Sequence, residues 1–234
     1  MTDVEGAMKG AKPAPPVIED PKELAGEIEG VKSIDKGPHW DRLSEQERAA
    51  RDAAPVTKVK GVTQDGTVTV RSQYEARTFE AANGKVTELS VNVHMRPGEA
   101  ISDVEVQIMK DHARQGLDKF YNFDKAAGRL HTLPDGSKLH VRVNFMEDPA
   151  EADLVVSVEN SFHPMTGEQL PTNQYVWRTY DAGDDMAAHE ISHQLGLLDE
   201  YAEARSPNRA LYKDHSLMAH FLEEGREHAS VKPR

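Results

Sequence analysis

The chain has no cysteine among its 234 residues. Disulfide bonds are therefore excluded, and a metal site can draw only on histidine, aspartate and glutamate as strong ligands. Long apolar runs are also missing: no stretch approaches the roughly 18–20 residues of a membrane-spanning helix. The N-terminal sequence has no apolar segment of the kind found in secretory signal peptides.

Basic residues are outnumbered, with 28 Lys and Arg against 40 Asp and Glu and a formal net charge of −12. An acidic protein repels phosphate backbones and anionic lipid surfaces. We therefore expect neither nucleic acid nor a membrane as a partner.

The N-terminal part of the chain divides by composition into three segments. Residues 1–37 are rich in Pro, Gly, Glu and Lys and nearly free of aromatics, which predicts a disordered or leader segment. Residues 38–55 predict a short helix and linker, because Ser44 and Glu47 have the spacing of a capping box. Residues 56–99 predict β-hairpins that pack on the domain that follows.

Two dipeptides carry the hairpin prediction. Alternating Val and Thr surround Asp65-Gly66, and Asn83-Gly84 precedes a second alternating run. Both dipeptides suit tight turns, because their residues tolerate positive φ angles.

Residues 100–234 predict one α+β domain. A helical period over 101–121 places five residues on one apolar stripe: Ile101, Val104, Ile108, Leu117 and Tyr121. A hairpin is expected around residues 134–136, and the apolar run 152–159 is typical of a strand covered on both faces.

The sequence HEISHQLGLLD, residues 189–199, carries the chemistry. On a helix, His189 and His193 lie on one face about 6 Å apart, so both can bind one ion. Glu190 lies about 100° around the helix, where its carboxylate can reach a water beside the ion without ligating it. Gly196 lets the chain turn out of the helix, so that Asp199 can return as third ligand. A continuous helix would instead carry Asp199 about 9 Å along the axis from His193.

This sequence resembles the signature of metzincin zinc peptidases, with Asp in place of the usual third His, as in the snapalysin-type branch. Residues 216–221, SLMAHF, resemble the family's Met-turn and place Met218 in it. In several branches a Tyr stands two residues after that Met. Here the residue is His220, which serves as a hydrogen-bond donor or weak extra ligand, or has no role.

The resemblance implies a metzincin-like zincin with a twisted mixed sheet, a backing helix, an active-site helix and a Met-turn. It implies a zinc-dependent metalloendopeptidase with one catalytic Zn²⁺ held by His189, His193 and Asp199, and with Glu190 as general base. The expected substrate is a protein or peptide, bound in extended form at a sheet edge, and the expected state is a monomer.

By analogy, a compact peptidase domain with a polar leader and no signal peptide is typical of bacterial effectors and toxins. We expect such a protein to be made in the cytoplasm and exported by a specialised secretion system, with that machine or a cognate inhibitor as partner. Two alternatives stay open: a zinc-stabilised binding module without catalysis, and an immunity or scaffold protein that carries the motif by chance.

Seven further histidines stand outside any recognisable ligand spacing, and we interpret them as surface or packing residues: His94, His112, His131, His140, His163, His215 and His228.

Overall fold

The computed structural model describes residues 43–82, 84–122, 131–179, 183–201 and 216–219. The predictions for residues 1–37 and for His220 lie outside these ranges.

Within them the chain forms three α-helices and a six-stranded mixed sheet, which confirms the α+β class. The helices are α1 (Glu45–Ala53), α2 (Asp103–Leu117) and α3 (Asp184–Gln194). The strands are β1 (Thr57–Asp65), β2 (Val68–Ala81), β3 (Gly84–Pro97), β4 (Lys138–Phe145), β5 (Leu154–Glu159) and β6 (Val176–Arg178). None of the described helices is long and apolar enough to cross a membrane.

Strand β3 is the centre of the sheet. It pairs antiparallel with β2 and parallel with β4 and β5, and β6 is added parallel to β5. Val93 pairs with both Phe145 of β4 and Leu154 of β5, so these strands lie on opposite edges of β3. Strands β2 and β4 pair with the same stretch of β3, so they too lie on opposite edges of it. Strands β2 and β5 therefore lie one after the other along the same edge of β3. The sheet therefore combines β1–β3, which precede residue 100 in the chain, with β4–β6, which follow it.

Both predicted hairpin turns are confirmed. Asp65 pairs with Val68 across the first turn, and Ala81 pairs with Gly84 across the second. Gly66 and Gly84 have φ angles of 63° and 104°, a region that glycine enters without steric cost.

Two other strand predictions need correction. The predicted hairpin around residues 134–136 is reduced to one antiparallel bridge between Thr132 and Lys138, because β4 then pairs parallel with β3. Strand β5 is not covered on both faces: its burial alternates, and Val155 is 37% exposed.

The predicted apolar stripe of α2 was also wrong in part. Leu117 and Tyr121 are buried as predicted, but Val104 is 42% exposed. The rest of the buried face of α2 is formed by residues outside the predicted stripe, namely Val106, Met109, Ala113 and Gly116. Packing against the sheet and α3 therefore decides which face of α2 is buried.

Gly116 allows α2 and α3 to cross closely. A Cβ atom on Gly116 would lie 2.0 Å from the carbonyl oxygen of Asp184, at the start of α3. This glycine lowers helix propensity, but it sets the position of the helix that carries the two motif histidines.

The two faces of β3 differ, since successive side chains of a strand point to opposite sides. Val91 and Val93 belong to the main core with α2 and α3, whereas Val86 packs with Leu43 and Phe79 near α1.

A buried ionic cluster, the Glu88 cluster (Arg51, Arg77, Glu88 and His140), joins α1 to the sheet. Arg51 Nη2 and Nε lie 2.7 and 2.9 Å from Glu88 Oε1, Arg77 Nε lies 3.5 Å from the same oxygen, and His140 Nδ1 lies 3.3 Å from Oε2. Burial alone would raise the pKa of Glu88, but hydrogen bonds from His140 and Arg51 lower that pKa to about 2.

Candidate metal centre

Helix α3 carries the motif histidines in the interior of the molecule. It begins with Asp184 and Asp185, whose charges complement the helix dipole. His189 is 5% exposed and His193 7%, and their ring centroids lie 4.9 Å apart at an interplanar angle of 84°.

The end of α3 is a glycine turn. Gly196 has a φ angle of 97°, its N–H donates to the carbonyl of His193 at 3.0 Å, and Leu197 N–H donates to that of Ser192 at 3.1 Å. This pair of bonds is the Schellman arrangement, which needs a left-handed residue. The chain therefore leaves the helix sharply three residues after His193, as the sequence predicts.

The turn brings Asp199 back to the histidines. Its Oδ1 lies 3.2 Å from His189 Nε2 and 3.3 Å from His193 Nε2. The Asp199 side chain is 11% exposed. Three candidate ligand atoms from two consecutive pieces of chain thus converge on one buried point.

The other ring nitrogens fix the tautomers. His189 Nδ1 lies 2.8 Å from the carbonyl oxygen of Leu217, and His193 Nδ1 lies 2.9 Å from that of Leu197. A carbonyl oxygen can only accept, so we assign a donating hydrogen to each Nδ1. In the neutral rings, each Nε2 then directs a lone pair towards the carboxylate.

This arrangement requires positive charge. Burial alone would lower the pKa of His189, but the hydrogen bond to Asp199, the negative charges of Glu190 and Asp199 and the hydrogen bond to Leu217 together raise that pKa to about 9. Burial would raise the pKa of Asp199, and the two imidazoles hold it far below its usual range. A proton or a metal cation is needed where the three atoms meet.

The spacing of the three atoms fits a metal ion. Zinc lies about 2.0–2.2 Å from nitrogen and carboxylate ligands, so two ligands at a tetrahedral angle are about 3.3 Å apart. The distances from Asp199 Oδ1 to the two Nε2 atoms match this ligand–ligand distance. Ligand tautomers held by backbone carbonyls are also typical of metal-binding histidines.

Glu190 lies beside the same point. One ligand atom each from His189, Glu190 and His193 fall within 4.8 Å of one another, and Glu190 is 4% exposed. The buried His189–Glu190–His193 group could hold a metal ion.

The short segment Ser216–Ala219 supports both parts of the site. It forms a tight turn in which Ala219 N–H donates to Ser216 at 3.0 Å. Leu217 accepts from His189, and the carbonyl of Met218 accepts from Glu200 N–H at 2.6 Å. Met218 itself is 4% exposed. The turn therefore positions one histidine and the segment that carries Asp199.

The sequence did not indicate the carbonyl acceptors Leu197 and Leu217, since backbone acceptors leave no residue signature. It also missed Gln194, next to His193, which is 3% exposed and donates to Gln73 in β2 and to Asp153 just before β5. A polar residue at the last position of a buried helix was the available signal.

Comparisons with protein-family models, with curated proteins and with solved structures found no significant match for this chain.

Proposed function

We propose that the chain is a zinc-dependent metalloendopeptidase, with His189, His193 and Asp199 as ligands and Glu190 as general base. One observation carries the proposal: Asp199 Oδ1 lies 3.2 and 3.3 Å from two Nε2 atoms of fixed tautomer, which is the distance between two ligands of a tetrahedral zinc ion. Two histidines with one carboxylate form a ligand set of catalytic zinc peptidases.

A bound Zn²⁺ would supply Lewis acidity towards water and towards the scissile carbonyl. We assign the role of general base to Glu190 because it lies beside the proposed ligands. The ion does not need Glu190 as a ligand, since His189, His193 and Asp199 supply three ligand atoms. Its carboxylate accepts a proton from the attacking water and returns it to the leaving amine nitrogen. Leu197 and Leu217 hold the two rings through backbone carbonyls, so the ligand atoms keep their direction.

The finer architecture belongs to the same proposal. A metzincin-like fold would place the Met-turn below the zinc ligands, and the hydrogen bonds that His189 and Glu200 donate to the carbonyls of Leu217 and Met218 support this assignment. The proposed substrate is a protein or peptide, and export of an effector or toxin peptidase remains our proposal by analogy.

A second function, a metal-stabilised binding module, is favoured by the burial of the group. His189, Glu190 and His193 are each less than 10% exposed, and structural zinc sites are closed to solvent. The role of Glu190 distinguishes the two functions, because a structural site needs no base beside its ion.

The test combines metal analysis with proteolysis. Purified chain should contain about one zinc per molecule, and it should cleave unfolded casein until a chelator is added. The metal analysis should include iron, because two histidines and a carboxylate also bind Fe²⁺ in oxygenases. A full-length chain that binds no divalent metal when titrated contradicts the proposal.

Ligand variants sharpen this test. His193→Ala and Asp199→Ala should lose the metal. His94→Ala is the matched control, because His94 Nδ1 also bonds a backbone carbonyl, that of Met146 at 3.0 Å, but outside the site. The control should retain the metal. Full occupancy in His193→Ala would remove this residue from the ligand set.

A further inference from the structure

Two buried glutamines connect the end of α3 to the sheet. Gln194 Nε2 donates to the carbonyl of Gln73 in β2 at 3.1 Å and to that of Asp153, just before β5, at 3.2 Å. Gln194 Oε1 accepts from Gln174 Nε2 at 2.8 Å, and Gln174 Nε2 also donates to the carbonyl of Arg71 at 2.9 Å. Gln194 and Gln174 are 3% and 7% exposed.

The orientation of both amides is fixed by their partners. Carbonyl oxygens accept hydrogen bonds and cannot donate, so the NH₂ groups must face Arg71, Gln73 and Asp153. The remaining oxygen of Gln194 then faces the NH₂ group of Gln174. Neither amide can be flipped without placing oxygens against oxygens.

The glutamines occupy a break in the sheet. The pairing of β2 with β3 extends only to Glu75, and β5 takes the same edge of β3 from Leu154 onward. The carbonyls of Arg71 and Gln73 therefore lie where β2 has separated from β3. Asp153 closes the break from the other side, with Oδ1 accepting from Gln73 Nε2 at 2.8 Å.

The same contacts reach the proposed ligands. Gln194 directly follows His193, and Gly196 begins the turn towards Asp199. A Cβ atom on Gly196 would lie 3.8 Å from Ser72, so the turn itself packs near β2. The hairpin β1–β2 and the residue before the turn to Asp199 thus share one set of partly buried hydrogen bonds.

We propose that Gln194 is a positioning residue that locks the end of α3 to β2 and β5, and so couples the ligand turn to the β1–β2 hairpin. The coupling of hairpin and turn is a property of the fold. Only its consequence for metal affinity rests on the proposed function.

The test variant is Gln194→Met, which keeps an unbranched side chain of similar size and removes every hydrogen bond of the amide. The matched control is Tyr121→Phe, which removes a buried hydrogen bond of 2.5 Å between Tyr121 and Ser192 on the same helix. The control lowers stability without touching the break in the sheet. Gln174→Met serves as a milder variant should Gln194→Met fail to fold, because it leaves both carbonyl bonds of Gln194 in place.

Hydrogen exchange of the metal-free chain decides the structural part. In Gln194→Met, amides of residues 71–74 and of residues 195–199 should both exchange faster than in the wild type, and Gln174→Met should show the same pattern more weakly. Tyr121→Phe should leave the hairpin amides unchanged. Equal exchange in wild type and Gln194→Met, or the same pattern in Tyr121→Phe, overturns the inference whether or not the chain binds metal.

Metal binding decides the functional consequence. Zinc affinity should fall by roughly 10–100-fold in Gln194→Met, the range for residues that support ligands, and should stay at the wild-type value in Tyr121→Phe. With Co²⁺ in place of zinc, the visible absorption spectrum should change only in the Gln194 variant. Absence of metal binding by the wild type would defeat the proposed function alone, whereas wild-type zinc affinity in Gln194→Met would defeat the coupling of this residue to the ligands.

Discussion

Glu88 is a buried carboxylate and Asp199 is one with 11% of its side chain exposed, and their partners supply charge in different ways. Glu88 meets the guanidinium groups of Arg51 and Arg77, which carry permanent positive charge. Asp199 meets the Nε2 atoms of His189 and His193, whose rings can be neutral.

The Nδ1 partners explain how the two sites differ. His140 directs Nδ1 at Glu88, so it can donate to that carboxylate while neutral. In the metal centre, the Nδ1 atoms of His189 and His193 are already used by backbone carbonyls. Both sites pair a carboxylate with histidine, and the distinguishing feature is that two Nε2 atoms face the carboxylate in the candidate metal centre.

The largest expected effect separates the two glutamates. Glu190→Gln should lower kcat for casein cleavage by about 10²–10⁴-fold, the usual contribution of a general base, while zinc content stays at the wild-type value. Glu88→Gln is the matched control: it should lower stability and leave kcat per folded molecule unchanged. Wild-type kcat in Glu190→Gln would refute the role of Glu190 as base.

The second prediction breaks the Glu88 cluster. Arg51→Met removes the closest cation and leaves a buried carboxylate poorly compensated, which typically costs about 3–5 kcal/mol. Urea unfolding should show this loss, and zinc content should not change. Loss of zinc together with stability would mean that the cluster and the metal centre are not independent.

The sequence predicted more of the candidate metal centre than of the Glu88 cluster, for a physical reason. His189, His193, Gly196 and Asp199 lie within eleven residues, so helix geometry and one glycine turn determine their relation. Glu88 contacts residues 37 and 52 positions away in the chain, and such pairs depend on strand register, which polar side chains do not reveal.

The same reason limits the prediction of the fold. Hairpin turns and the start of α2 are local, and Ser102 with Glu105 forms a capping box there. The parallel pairing of β4 and the exposed face of β5 depend on which strands become neighbours. Gly116 illustrates the limit, because its low helix propensity is local but its contact with α3 is not.

The third prediction concerns the stability of the fold at acid pH. The pKa of Glu88 is lowered to about 2 from 4.5, so its charge stabilises the fold above pH 4.5, and this contribution is lost as the pH falls towards 2. One pKa unit corresponds to about 1.4 kcal/mol, which makes the effect on the order of 3 kcal/mol. The difference in unfolding free energy between wild type and Glu88→Gln should shrink over this range. A difference independent of pH would show that the charge of Glu88 does not stabilise the fold.

The fourth prediction concerns the stabilisation of the fold by added Zn²⁺. Free Zn²⁺ at one hundred times its dissociation constant should raise the unfolding free energy by about 2.7 kcal/mol, provided that only the folded chain binds it. Asp199→Asn should lose most of this gain, because the amide neither carries the negative charge nor ligates zinc as strongly. Arg51→Met should retain it, despite its lower starting stability. An equal gain in Asp199→Asn would assign the zinc to other residues.

The smallest expected effect concerns Met218, which is buried in the turn beside His189. The turn is held by backbone atoms: Met218 N–H donates to Ser216 Oγ at 3.3 Å, and the Met218 carbonyl accepts from Glu200. Leucine keeps these bonds and nearly the same volume, so Met218→Leu should cost less than about 1.5 kcal/mol and keep the zinc. Calorimetry and metal analysis measure both quantities. Loss of zinc in Met218→Leu with stability retained would show that the thioether itself, and not the backbone of the turn, supports the metal centre.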